Sequence, residues 1–376
     1  MEDSMGNPIR ILNVVGRMNI GGTESLIMNI YRKINREKIQ FDFLVHTEEH
    51  CTFDDEIESY GGRIYRIPQY NVANHFEYKK KWNEFFKKHG EYKILHAHMT
   101  GPAAVFIPIA KKYGCFTIAH SHTAGAKGGI RQSVINAYQI PIRFVTDYMM
   151  ACSVEAAKWT FGNKALEKDN LKIIKNGIDL DRFTESDIKR EEIRDEFDLE
   201  NKFVVVYIAR LHPMKNHSFL LEIFREILKR NENSALLIVG GGSEKDNIQK
   251  RAEELGIESK IILTGVRQDA DKILAASDVF CMTSLFEGFP VSLIEAQACG
   301  VKCICGNNIS PDINVTNTVT RLSLNAPAAE WAEECLKYKG GYTISNAKEL
   351  IKDSGYDINN TVEWLERFYE GHRKGR

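Results

Sequence analysis

No stretch of about 18 consecutive apolar residues occurs in the chain, which excludes a membrane-spanning helix. The first residues, MEDSMGNPIR, hold no apolar secretory region. No excess of one charge sign is present: the formal net charge is −1, which gives no footprint for a nucleic-acid partner and no acidic tail. No CxxC pair occurs among Cys51, Cys115, Cys152, Cys281, Cys299, Cys303, Cys305 and Cys335. Cys303 and Cys305 fall on one face of a strand, but without a second pair they make no zinc site. Several of the eight lie in apolar runs and read as small buried hydrophobes in a reducing cytosol. Short-period repeats and low-complexity segments are also missing. What remains is ordinary for a soluble globular protein, with 43% hydrophobic and 27% charged residues.

The length of 376 residues exceeds what one core usually supports, so two domains are expected. Apolar runs at Ile9–Val15, Phe41–Val45, Arg63–Ile67, Ile94–His96, Phe116–His120, Tyr148–Cys152 and Leu171–Ile174 alternate with amphipathic stretches. Strands that are apolar throughout, separated by helices, predict a parallel sheet covered on both faces. A charged stretch, Asp179 to Glu200, reads as a linker plus a solvated helix. The pattern then restarts with Phe203–Ile208, Ser234–Val239, Ile261–Leu263, Asp278–Met282 and Val301–Ile304. The fold class is α/β, with two Rossmann-like doubly wound domains facing a central cleft. The boundaries fall at 1–177, 178–356 and a last helix, 357–376, expected to pack on the first domain. Ligands in such sheets bind beyond the carboxyl ends of the strands.

One stretch at such an end stands out, Ser284 to Gly300. Pro290 suits a helix start, Val291 to Cys299 is helical in composition, and Gly300 suits the stop. Glu287 and Gly288 precede the helix, and Glu295 lies inside it. Open backbone N–H groups at the mouth favour an anion, and two carboxylates favour hydroxyls. A sugar nucleotide carries both.

Arg210 ends the first strand of the second half and Lys215 precedes its helix. Two cations at a strand–helix mouth are what a leaving diphosphate needs. The glycine turn Gly240–Gly242 and the segment Thr264–Arg267 end two further strands; the first permits close backbone approach to a ligand, the second suits a flat base. The turn from Gly16 to Thr23 lacks the Lys of a P-loop and the spacing of a dinucleotide fingerprint. It is left as a backbone loop, with Gly22 and Glu24, facing a ligand or merely closing a tight turn. Asp179–Asp181 and Asp269–Asp271 match a two-residue D-x-D pattern and are taken as chance.

His96-Ala-His98 and His120-Ser-His122 end two successive strands, and period two puts each pair on one face. Four imidazoles suit a metal. No acidic ligand is adjacent in sequence, so hydrogen bonding to a substrate is the preferred reading, with His122 foremost and His98 as its acceptor-side companion.

Together these motifs resemble the retaining glycosyltransferases of family 4, which have the GT-B fold, and among them the bacterial capsular and exopolysaccharide enzymes. The resemblance covers nearly the whole chain and rests on Gly21 to Glu24, His98, His122, Asn176 to Asp179, Arg210 with Lys215, and Glu287-x7-Glu295. It implies a hexosyltransferase that moves sugar from a nucleoside-diphosphate sugar, expected to be a UDP-sugar, to a growing lipid-linked glycan without a metal or other cofactor. By resemblance, Arg210 and Lys215 grip the diphosphate, Glu295 holds the ribose, and Glu287 meets the transferred sugar. Gly288, Phe289, Pro290 and Val291 lie by phosphate or sugar, backbone near Arg267 holds the base, and His122 sits by the sugar or the reaction centre.

Two other readings stay open. One is a UDP-GlcNAc-type epimerase on the same fold; the other is a metal-dependent hydrolase using the HxH pairs. Lys127, Arg131 and Arg143 flank the apolar run Val134 to Phe144, and Lys79, Lys80, Lys81, Lys87 and Lys88 add a basic helix. The expected location is therefore cytoplasmic, peripheral at an anionic inner membrane face.

Overall fold

A computed structural model describes residues 7–122, 139–183, 187–340 and 346–375. Residues 134–138 of the run from Val134 to Phe144, together with Lys127 and Arg131, lie outside the described residues. The chain divides into two compact units, residues 1–177 with 358–376, and residues 178–357.

The first unit is built on seven strands: β1 (Ile9–Val15), β2 (Ile39–Val45), β3 (Ile64–Arg66), β4 (Ile94–Ala97), β5 (Phe116–Ser121), β6 (Tyr148–Ala151) and β7 (Leu171–Ile173). All pairings are parallel, in the order β3-β2-β1-β4-β5-β6-β7. The order reverses between β1 and β4, so the loops after Val15 and Ala97 flank the switch point, where such sheets take their ligands. One face is filled around Trp82 and Phe106 and the other around Tyr31, Phe41 and Phe43. The last helix, Ile358–Gly371, belongs to the second of these faces. It buries Ile358, Val362, Leu365 and Tyr369, a stripe at helical spacing, beside the helix Gly22–Lys33.

The second unit has six strands: β8 (Phe203–Ile208), β9 (Ser234–Val239), β10 (Ile261–Gly265), β11 (Val279–Met282), β12 (Lys302–Gly306) and β13 (Val319–Leu322). They are again parallel, in the order β10-β9-β8-β11-β12-β13. Here the switch point lies between β8 and β11. The loop after β8 carries Arg210 and Lys215, and the loop after β11 carries Glu287. The topology thus brings the two motifs of the second half to one place. All eight cysteines are free and buried, as apolar packing requires.

The charged stretch after Asp179 is not a loose linker. Leu180, Phe183, Ile193 and Leu199 are buried in the second core. The helix Asp187–Glu196 packs on the helix Ala270–Ala276, and Arg190 and Arg194 both pair with Asp278. Asp278 also accepts the Val204 N–H at 2.7 Å, which ties the stretch to the start of β8. These two arginines are spent on Asp278, far along the chain, while Glu191, Asp195 and Glu200 stay exposed, as a solvated face requires.

Candidate active site

In the second unit the two switch-point loops are tied together. The Leu285 N–H bonds to the Met214 carbonyl at 2.8 Å, and the Thr283 hydroxyl donates to the carbonyls of Lys215 and Asn216 at 3.2 and 3.1 Å. Asn308, after β12, donates its side-chain amide to the carbonyls of Ser284 and Leu285 at 3.0 and 2.9 Å. On this frame Nζ of Lys215 lies 2.5 Å from Oε1 of Glu287, and the Ser284 hydroxyl lies 2.6 Å from the same oxygen. The Tyr207 hydroxyl, from β8, is 2.5 Å from that of Ser284. Lys215 sits in a short turn, Pro213–Lys215, and Asn216 reverses the chain with φ +54° before the helix His217–Arg230. Arg210, five residues earlier, is exposed and has no ion-pair or hydrogen-bond partner among the described residues.

The helix after Glu287 runs Val291–Ala298, with Pro290 at its N-cap and Gly300 at φ +71° beyond its end. The expected open amides are fewer than four. Val291 and Leu293 already donate to the carbonyls of Phe289 and Pro290, because the chain tightens into short turns there. Phe289 stacks on Tyr356 at 5.5 Å, which fixes the entry to the helix. One turn in, Glu295 is recessed. Burial pushes its pKa up to about 7; the Arg182 charge opposes the rise and Asp271 adds to it. Asp271 is itself held by Arg182 at 2.8 Å and Lys189 at 2.9 Å. Asp271 is therefore a structural ion-pair residue and not half of a metal motif.

Arg267 spends its guanidinium on Glu196 and Asp269, so any contact it makes with a base falls to the backbone of its segment. The Gly240–Gly242 turn approaches the chain itself rather than waiting for a ligand. Gly240 (φ +141°) and Gly242 (φ +153°) lie so close to the carbonyls of Ala209 and Leu211 that a Cβ would collide with them. The turn thereby supports the backbone on either side of Arg210.

In the first unit the four histidines form one block. His96 stacks on His98, and His120 lies tilted against His122, each with ring centroids 4.1 Å apart. Across the strands Nε2 of His96 lies 3.2 Å from Nδ1 of His120, and Nδ1 of His98 lies 2.9 Å from Nε2 of His122. The outer nitrogens of His96 and His98 reach the Tyr369 hydroxyl at 2.8 Å and Oδ1 of Asn13 at 3.2 Å. Among the described residues, the buried Nε2 of His120 and Nδ1 of His122 find no partner. Burial pushes the pKa of His96 and of His122 down to about 3, and those of His98 and His120 well below the ordinary range, so all four are neutral at pH 7. Nitrogens of His96, His98 and His120 lie within 4.8 Å of one another, close enough for a metal to be considered. A metal there would have to displace the His96–His120 and His98–His122 contacts, which pair the rings as neutral partners.

The loop after β1 is in extended backbone at Gly21 (φ −165°), a conformation open to any residue, so the need for glycine there is not conformational. Gly22 opens the helix, with nothing within 4 Å of where a Cβ would stand, and Glu24 lies in its first turn. Among the described residues the structure thus groups Lys215 with Glu287 and His98 with His122. It leaves Glu295 in an ion-pair recess of its own. The supporting partners Ser284, Tyr207, Asn308, Asn13 and Tyr369 carry no motif, and sequence reasoning missed them.

Two family models match the chain: Glycosyltransferase Family 4 over residues 20–182 and Glycosyl transferases group 1 over residues 189–338. The chain is 30% identical over 369 residues to the glycosyltransferase EpsF of Bacillus subtilis (strain 168), covering 96% of each chain. It is 27% identical over 229 residues to an Escherichia coli UDP-Gal:alpha-D-GlcNAc-diphosphoundecaprenol alpha-1,3-galactosyltransferase, covering 58% of this chain and 59% of that one. The crystal structure of Anabaena Alr3699/HepE in complex with UDP and glucose superposes with a TM-score of 0.77 at 17% identity, over 96% of this chain and 99% of that one. The paired parallel sheets are therefore those of a GT-B enzyme that transfers sugars. The chain belongs to glycosyltransferase family 4 and is a hexosyltransferase.

Proposed function

We propose that this enzyme transfers a hexose from a UDP-sugar, with retention of anomeric configuration, to a lipid-linked glycan during assembly of a capsular or extracellular polysaccharide. The observation that carries the reading is the Lys215–Glu287 contact, on the loop that also carries Arg210, a cation without an ion-pair partner among the described residues. Arg210 and Lys215 neutralise the leaving diphosphate, which lets the reaction run without a divalent metal. Glu287 stabilises positive charge developing on the transferred sugar. Glu295 accepts hydrogen bonds from the ribose hydroxyls, and backbone at Arg267 holds the base. In the first unit, His122, His98, Gly22 and Glu24 are the ligand-side residues of this reading. The UDP-sugar and undecaprenyl acceptor named for the Escherichia coli relative support both substrate classes.

The enzyme is proposed to work at the inner membrane face. No helix among the described residues is long and apolar enough to cross a membrane. Phe144 is 74% and Phe76 86% exposed, with Arg143 and Lys79 close to them in sequence, a combination suited to an anionic lipid surface. The test is a screen of UDP- and GDP-sugars for slow donor hydrolysis, in EDTA, with and without a lipid-linked acceptor. Release of UDP with formation of an α-linked product is expected. Conversion of UDP-GlcNAc to another UDP-hexosamine, or activity lost in EDTA, refutes the reading.

A further inference from the structure

Glu287 accepts two hydrogen bonds on one oxygen and none on the other. Lys215 at 2.5 Å and Ser284 at 2.6 Å both meet Oε1. Oε2 has no partner among the described residues. The direction of the hydrogen bonds follows from counting protons. A carboxylate beside a lysine only accepts, so the single Ser284 proton is committed to Glu287. The Ser284 oxygen then only accepts from Tyr207, whose hydroxyl is 2.5 Å away. Tyr207 and Ser284 are both fully buried, so neither proton is exchanged for a bond to bulk water. Burial, and next the Glu287 charge, hold the Tyr207 phenol well above its ordinary pKa, so it stays a donor at every working pH.

We infer that Tyr207 and Ser284 are positioning residues that lock Oε1 of Glu287 onto the protein and so reserve Oε2 for the substrate. The chain of donors runs one way, Tyr207 to Ser284 to Oε1. It starts on β8 and ends in the loop after β11, the two strands that border the switch point. A carboxylate held by Lys215 alone would turn about its side-chain torsions, since an ammonium is a point charge without directional fork. The added hydroxyl fixes the plane of the carboxylate. One oxygen is thereby presented in a constant direction, and a misplacement of about 1 Å at a reacting group costs on the order of a hundredfold in rate.

This inference rests on the proposed role of Glu287, and its test separates the two. Ser284→Ala and Tyr207→Phe are made in the full chain, checked for native thermal unfolding, and assayed for UDP-sugar turnover. The expected result is a kcat lowered about tenfold to hundredfold in Ser284→Ala and severalfold in Tyr207→Phe, with donor KM within about twofold of the parent. A purely structural role would move stability and KM without this split. Wild-type kcat in both variants, while Glu287→Ala is inactive, overturns the inference and leaves the functional reading standing. Should the parent turn over no donor, the functional reading fails and the positioning claim is decided by crystallography. A crystal structure of either variant with the Glu287 carboxylate turned off Lys215 upholds it, and one with the carboxylate unmoved overturns it. Tyr207→Phe keeps the ring volume and serves should Ser284→Ala fail to fold.

Discussion

The hydroxyl of Tyr369 lies 2.8 Å from Nδ1 of His96, so the last helix is hydrogen-bonded to the fourth strand of its own sheet. Both residues are buried, and the described residues offer that nitrogen no other partner. Tyr369→Phe should therefore leave a buried polar atom unpaired and lower the stability of the first unit by about 1–3 kcal/mol. Leu365→Ala, on the same stripe, should cost about 2–4 kcal/mol through a cavity. Urea unfolding followed by Trp fluorescence measures both. An unchanged midpoint in Tyr369→Phe would show that the bond is not made in solution.

Removal of Lys215 or Glu287 should act on chemistry. Lys215→Ala takes a preorganised cation from the leaving group and is expected to lower kcat by about a hundredfold to a thousandfold. Glu287→Gln keeps the shape but loses the charge, and a similar loss is expected, with donor binding by calorimetry nearly unchanged. Normal transfer by both variants would remove these residues from the mechanism.

Much of this site was legible because its residue types are costly elsewhere. Arg210, Lys215 and Glu287 stand at strand ends, where a proline or glycine next to them marks a turn, and the parallel-sheet pattern placed those ends together. Ser284 and Tyr207 were not legible: a serine after an apolar strand and a tyrosine within one are ordinary, and only the fold shows them touching. The stretch after Asp179 misled because single-sequence charge density looks like solvation. Its arginines pair with Asp278, which is 88 residues from Arg190 and 84 from Arg194, a pairing no local pattern reports. Gly240 and Gly242 did signal a close approach, yet sequence does not say whether a ligand or the chain's own carbonyl is the neighbour.

Glu295 gives the enzyme a pH dependence near neutrality. Its folded pKa, about 7, lies above the ordinary carboxylate value of 4.5. Between those two values the folded state holds a proton that the unfolded state has lost. The stability this contributes is complete below pH 4.5 and is lost as pH rises through 7. Glu295→Gln should then stabilise the second unit by roughly 1–3 kcal/mol at pH 8 and little at pH 4. Ribose hydroxyls bond more strongly to the ionised form, which accepts on both oxygens. Donor KM in the parent should accordingly rise as pH falls below 7, by up to about tenfold, while Glu295→Gln shows a high KM without the pH dependence. Parallel KM–pH curves for the two proteins would refute the ribose assignment.

Acid should destabilise the first unit through its buried histidines at a pH above that where ordinary carboxylates titrate. Burial lowers the pKa of His46 to about 4 and of His96 to about 3, and it holds His98 and His120 well below the ordinary range. In the unfolded chain these rings titrate near 6.5. Below that value the unfolded state takes up protons that the folded state refuses, so the stabilisation present above pH 6.5 is lost as pH falls toward 3. Each deeply buried ring contributes about 2 kcal/mol of loss between pH 6.5 and 5. Urea midpoints at pH 7.5, 6 and 5 should fall steeply. His46 is 6% exposed, and among the described residues its ring bonds to the Val15 carbonyl and the Tyr78 hydroxyl, so His46→Gln keeps polar contacts while removing one titration. That variant should be less stable than the parent at pH 7.5 and close to it at pH 5. A profile flat between pH 7.5 and 5 in the parent would mean that the histidine block is already open to water and protons in the native state.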